Sequence, residues 1–362
     1  MKKLLHKIAV CILIVWAFLP VTIYAAAVDT ESLQKALPEE IREEMDISPQ
    51  SGDFSVALKG LLQKGVHLVK ASVRQMLAEG SVIVAVAACS GLLLAFAGPL
   101  ESENLKKAIE TTAICAVTAF CIGGASGLLE SCRLSIRRLS SFSAVFVPVY
   151  GAAVTLSGHP ASALSSATAT LVASDLLLAL ATRLLIPMIY LHIIFLAAGR
   201  IAENNLLGGL ADILCRGALG FFKYFLMLYT GYISISGLIS SGADALALRT
   251  AKTTISGSVP VLGSVISDVS EALLSGAVVL KNSIGVYGFI GAVALCLAPF
   301  ISAAIRFWTF KVLAMVAAGM SGGRLAGLLS GIAESYAMAL GLLGTCCALL
   351  FLSFVVGSVV IG

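Results

Sequence analysis

The sequence predicts an all-α, polytopic integral membrane protein, and three observations carry that prediction. Of its 362 residues 59% are hydrophobic and 12% charged, where a soluble domain has about 45–50% and about 25%. Mean hydropathy is +1.00. The apolar residues also gather in runs close to the ~20 residues that cross a ~30 Å hydrocarbon core. Those runs are 81–100, 111–129, 142–157, 161–182, 184–199, 217–241, 283–305 and 335–361, which gives about eight spans. The run 142–157 is short for a crossing, and 254–280 and 307–318 are ambiguous.

The chain opens with the pattern of a signal peptide. Lys2, Lys3 and Lys7 precede an apolar stretch from Ile8 to Leu19, and Pro20 breaks it. Ala25 and Ala27 then supply the small residues of a cut after Ala27, so 1–27 are set apart from the fold. The other reading of this stretch is an uncleaved anchor helix. Residues 28–53 carry eight acids against Lys35 and Arg42, the composition of a solvated extracytoplasmic arm with some helix around "PEEIREEM". From Phe54 to Ala78, apolar positions such as Leu62, Val66, Val69 and Val73 alternate with Lys59, Lys64, Lys70 and Arg74. That spacing predicts an amphipathic helix lying on the membrane or on a partner, so 28–80 form one unit and 81–362 the polytopic domain. Orientation is contradictory. With the mature N-terminus outside, the first two spans leave Arg133, Arg137 and Arg138 outside, against the positive-inside tendency.

An internal duplication is suggested by "VPVYG" at 147–151 and "VPVLG" at 259–263, each preceded by a basic, Ser/Thr-containing lead. From Pro148 and Pro260 the next prolines, Pro187 and Pro299, each follow 39 residues later. The predicted repeats are 133–225 and 249–340. The competing explanation is chance similarity in a Val-, Gly- and Leu-rich chain.

The element holding Pro260 is the sharper of the two. Arg249, Lys252 and Ser256 share one helical face before it, and Asp268, Glu271, Ser275 and Asn282 share one after it. Two short amphipathic helices joined at a proline break fit this pattern, either re-entrant beside protein or water, or lying in the interface. Pro148 marks the corresponding break in the first half.

Asp175, Arg183, Lys223, Arg306 and Lys311 interrupt apolar runs, where ionisable groups are costly. The four basic residues read as helix-end side chains snorkelling to the headgroups. Asp175 is too short to do so and is expected to face a buried partner or a water-filled cavity. Gly319, Gly323, Gly327 and Gly331 recur every fourth residue and on one helix make a groove for close packing within the chain or between copies; the alternative is a glycine-rich loop. Gly123 and Gly127 form a single, weaker G-x-x-x-G. The nine cysteines lack any C-x-x-C pair and read as packing residues.

No phosphate-binding P-loop, H-E-x-x-H or G-x-S-x-G occurs, and the four histidines (6, 67, 159 and 192) are too dispersed in sequence for a metal site, so none is expected. Nothing argues for an enzyme, and no cofactor is expected. The net charge of +4 comes without a basic stripe interleaved with aromatics, so no nucleic-acid partner is expected.

The stretch "RTAKTTISGSVPVLGSVISDVSEALLSGAVVLKNSIG" (249–285), preceded by "FFKYFLMLYTGYISISGLISS" (221–241), resembles the stage III sporulation protein AE family of endospore-forming bacteria. The likeness covers most of 55–362 and rests on a long word pattern rather than on a catalytic motif. It implies a protein of the mother-cell membrane around the forespore, in a multi-protein channel or secretion-like complex linking the two cells. It also implies as partners the other stage III sporulation A proteins, including a cytosolic ATPase, and indirectly stage II sporulation protein Q. Three functions stay open: a non-enzymatic core subunit of that complex, a self-contained secondary transporter with inverted repeats, and a structural scaffold.

Overall fold

The structure is a computed structural model that describes residues 35–37, 54–97, 102–258, 263–321 and 323–359, with side chains outside 54–58, 247–281 and 353–359. The described residues beyond Leu37 are helical apart from short turns. In chain order the helices are α1 (Phe54–Ala97), α2 (Glu103–Leu156), α3 (Pro160–Leu180), α4 (Ile186–Ile201), α5 (Asn205–Ser258), α6 (Gly263–Met320) and α7 (Gly323–Val359). A π-helical turn, Ala181–Leu185, joins α3 to α4 without a break.

Six helical stretches among the described residues are long and apolar enough to cross a membrane, rather than eight. The predicted spans 111–129 and 142–157 are one helix, α2, and 161–182 and 184–199 form the continuous rod α3–α4. The cause is the same at both places. Glu130, Arg133, Arg137 and Arg138 end a hydropathy run, as Arg183 does, but Glu and Arg are good helix formers and do not end a helix. Glu130 and Arg133 even pair on the surface of α2 at 3.6 Å. At 54 residues and ~1.5 Å per residue, α2 is far longer than one crossing requires.

Pro148 likewise fails to break the chain. It lies on the exposed side of α2, and the helix runs through it. Pro187 stands in the first turn of α4, where the preceding π turn absorbs the ring and the missing N–H. Its proposed equivalent Pro299 is buried in the interior of uninterrupted α6. The matched proline spacing therefore does not mark matched structural positions. Pro260 falls outside the described residues.

α7 forms the centre of the bundle. Leu328, Leu329, Ile332, Ala333, Leu342 and Leu343 are all fully buried, as a helix apolar on every side must be. α1 runs parallel to α6. Gly91 of α1 lies against the carbonyl of Met320, and Gly80 faces Leu313. Leu37, from the acidic stretch, is buried and packs on α6 near Gly291, so at least this residue belongs to the core. The signal-peptide stretch and the rest of the arm lie outside the described residues.

Turn chemistry explains two of the reversals. α2 ends in a Schellman motif: His159 N donates to Val154 O, Gly158 N donates to Thr155 O, and Gly158 sits at φ 94. α4 ends the same way with Glu203 at φ 52, a conformation uncommon outside glycine. Its carboxylate is held there by Arg324 at 3.0 Å and Lys107 at 3.9 Å. Arg324 also pairs with Glu110 at 3.0 Å and donates to Arg200 O at 2.7 Å, tying the starts of α2 and α7 to the end of α4.

The start of α3 is capped by another helix. Asp244 of α5 is buried and accepts from Ala161 N at 2.9 Å, Ser162 N at 3.1 Å and Ser162 Oγ at 2.7 Å. Ser165–Ser240 and Thr170–Tyr229 bonds continue that polar seam. Asp244→Ala leaves the buried donors without an acceptor, so the purified protein should lose about 1–3 kcal/mol in a detergent unfolding titration. Asp244→Asn should lose less.

Candidate functional site

A polar, partly open cavity lies between α1, α2 and α6. It has a volume of about 390 Å³ and is lined by Ser72, Gln75, Glu79, Gly123, Gly127 and Arg306, among others. α1 and α6 run side by side here, so residues 230 apart in sequence meet: Ser72 and Ser302 share a hydrogen bond at 3.3 Å. One helical level on, Glu79 and Arg306 form a bidentate pair. Arg306 Nη1 donates to Glu79 Oε2 at 2.8 Å, and Nη2 donates to Oε1 at 3.0 Å. Only 9% of the Arg306 side chain and 21% of Glu79 are exposed.

Neighbours hold both groups in place. Gln75, one turn before Glu79, donates to its Oε1 at 2.8 Å. The guanidinium lies 6.0 Å from the ring centre of Tyr336 on α7, the outer limit of a cation–π contact. Gly124 leaves room for it, since a β-carbon there would stand 3.0 Å from Arg306 Nη1. Gly123 and Gly127 have nothing within 4 Å of the place a β-carbon would take. This G-x-x-x-G opens a wall of the cavity instead of seating a helix. A volume of this size with several polar groups around it holds water comfortably.

The residues singled out in the sequence do not assemble here. Asp175 is exposed on α3. The buried stripe of α3 carries Ser162, Ala163, Thr170 and Leu177, and Asp175 falls on the opposite side. Arg249 and Lys252 lie in the last turns of α5 and Asp268 and Glu271 in the first turns of α6, with side chains outside those described.

The glycine series is split by the turn at Ser321. Gly319 ends α6 and Gly323 begins α7, so the four do not share a helix and the continuous groove does not form. Neither Gly319 nor Gly323 meets a neighbour, whereas a β-carbon at Gly327 would stand 2.6 Å from the Arg200 guanidinium and one at Gly331 would overlap Leu196. Close packing onto α4 is thus real for two of the four. Of the basic residues expected to snorkel, Arg183 and Lys223 are exposed. Arg306 is instead buried in the Glu79 pair, and Lys311 pairs with Glu334 at 3.7 Å. Asp244 and Glu79 escaped the sequence reading altogether.

The model of the stage III sporulation protein AE family matches residues 40–361, nearly the whole chain. The chain belongs to that family. It is also 25% identical over 328 residues to the stage III sporulation protein AE of Bacillus subtilis (strain 168), covering 90% of this chain and 79% of that one. No solved structure matches the chain. Among the described residues, the Glu79–Arg306 cavity combines charge and space inside the helical body. It offers a hydrated, charge-bearing space inside otherwise apolar helices, the usual mark of a functional position in a membrane protein.

Proposed function

We propose that this chain is a non-enzymatic membrane core subunit of a multi-protein channel or secretion-like complex between mother cell and forespore. It sits in the mother-cell membrane around the forespore, and the Glu79–Arg306 cavity is its hydrated working part. The partners in this reading are the other stage III sporulation A proteins, including a cytosolic ATPase that supplies energy, and indirectly stage II sporulation protein Q. Family membership and six membrane-type helices support the setting. The observation that carries the reading is the polar cavity itself, with the Glu79–Arg306 ion pair on its wall. Asp175 and Arg183, both facing outward from the α3–α4 rod, add support, because charges at such positions favour protein neighbours over lipid.

Filling the cavity without touching the ion pair separates function from folding. Gly127→Leu projects into open space, so the variant is expected to accumulate normally and retain its stage III A partners in pull-downs from sporulating cells. Spore yield should fall at least tenfold, on the order of the loss expected from blocking a required path. Normal spore yield with Leu in the cavity removes the cavity from the mechanism.

A self-contained transporter is the second reading, favoured by the same hydrated cavity. Substrate-dependent flux through liposomes containing this chain alone would select it over the channel subunit.

A further inference from the structure

Away from the cavity, three helices bring together side chains with no role in the proposed function. His192 of α4, Cys215 of α5 and Glu334 of α7 each place one ligand atom within 4.8 Å of the others. The geometry points to a binding site for a divalent, borderline-soft transition metal, Zn²⁺ being the best match, held by the His192 imidazole, the Cys215 thiolate and the Glu334 carboxylate. The donor set is the first reason. Imidazole nitrogen, thiolate and carboxylate are the three donor types zinc sites use, and three protein ligands leave a fourth position for water. Hard cations such as Mg²⁺ and Ca²⁺ take oxygen donors and have no use for Cys215.

Distances and orientation are the second reason. Zinc bonds of ~2.0–2.3 Å put neighbouring ligand atoms about 3.3–3.7 Å apart. From separations of at most 4.8 Å, the three atoms need to close by up to roughly 1.5 Å, within the reach of side-chain torsions. His192 is already oriented: Ser335 Oγ lies 2.8 Å from its Nδ1, next to Glu334 on the same helix. In the proposed site that bond fixes the ring through Nδ1 and Nε2 takes the metal, the usual arrangement behind a metal-bound histidine.

Charge is the third. His192 and Cys215 are buried and Glu334 is half-buried, so an isolated dication here would be very costly. A thiolate and a carboxylate cancel its two charges. The other charged groups nearby are Lys311 of α6 and Asp212 and Arg216 of α5. Lys311 now lies 3.7 Å from Glu334 Oε1 and also donates to Ser330 Oγ at 3.0 Å. It keeps a partner when the metal takes the carboxylate. The metal would pin α4, α5 and α7 together, and the rim position of Glu334 gives it an entrance.

The test uses the untagged full chain in detergent with Co²⁺ as the spectroscopic probe and Zn²⁺ as competitor. The expected result is about one Co²⁺ per chain, a thiolate-to-cobalt charge-transfer band, and displacement by Zn²⁺. Cys215→Ser should abolish the band, and His192→Gln and Glu334→Gln should each weaken Zn²⁺ at least tenfold. Ser335→Ala, which frees the ring, should weaken it about tenfold while keeping the band. Cys346→Ser, elsewhere in the core, should change nothing. Absence of a band from the wild type overturns the site. So does unchanged affinity in Glu334→Gln, whose rim position lets it fold even if the buried variants do not.

Discussion

Arg306→Met should destabilise the purified protein by about 3–5 kcal/mol, and adding Glu79→Met should restore most of the loss. The single substitution removes the guanidinium that holds both Glu79 oxygens and leaves a largely buried carboxylate with Gln75 as its one remaining donor among the described residues. One neutral hydrogen bond is worth about 0.5–1.5 kcal/mol, well short of the cost of an uncompensated charge. The cavity beside the pair admits water, which places the single variant toward the lower end of the range. Removing both charges takes away the attraction and the desolvation penalty together, and the Met side chains fill the space with apolar surface. Unfolding titrations in detergent give the three stabilities. Equal losses in the single and double variants would show that the pair contributes through packing alone. A neutral single variant would show that water already solvates Glu79. The double variant also separates stability from function, since it should fold yet lack the charges the proposed mechanism uses.

That pair marks the boundary of what the sequence makes legible. Helical class and membrane character follow from composition and run length, and both stand. The number of rods does not, because hydropathy windows stop at Arg137 or Arg183 whereas a helix backbone does not. Arg306 was visible as a charge at the end of an apolar run, and one-dimensional reading assigns such a residue to the headgroups. Its partner Glu79 lies 227 residues away, and no periodicity within one helix reports a neighbour on another. A usable signal existed in two opposite charges, each flanking an apolar run, together with the Gly123–Gly127 pair. The series Gly319–Gly331 failed for a local reason. A four-residue repeat is a groove only if one helix carries it, and the Gly322–Gly323 doublet beside Ser321 was the sign that the chain turns. Asp175 illustrates the same limit from the other side, because its orientation depends on which stripe of α3 packs inward, which α2 and α5 decide.

Gly288→Ala should destabilise the protein by about 1–3 kcal/mol or more, although alanine is the better helix former. On α2, Phe142, Phe146 and Tyr150 stack as a column, with ring centres 5.7 Å and 5.6 Å apart and interplanar angles of 8° and 16°. The column seats on the glycine face of α6. A β-carbon at Gly288 would overlap the Phe146 ring, and one at Gly291 would stand 3.0 Å from Phe142 Cζ. Small residues let membrane helices approach this closely. The ring cannot retreat, being 2% exposed and stacked between two others, so α6 must move away from α2. Helix propensity favours alanine by about 1 kcal/mol, and the clash has to exceed that before any loss is seen. The sign of the measured change therefore decides whether the column is rigid. Gly291→Ala should cost less, because its tight contact is a single ring atom and Leu37, at 3.3 Å, is flexible. Phe146→Leu separates crowding from any general intolerance of α6. It leaves space for the new methyl, so Gly288→Ala in that background should be close to neutral, a coupling of about 0.5–3 kcal/mol. Additive losses would mean that Gly288 matters for some reason other than the Phe146 ring.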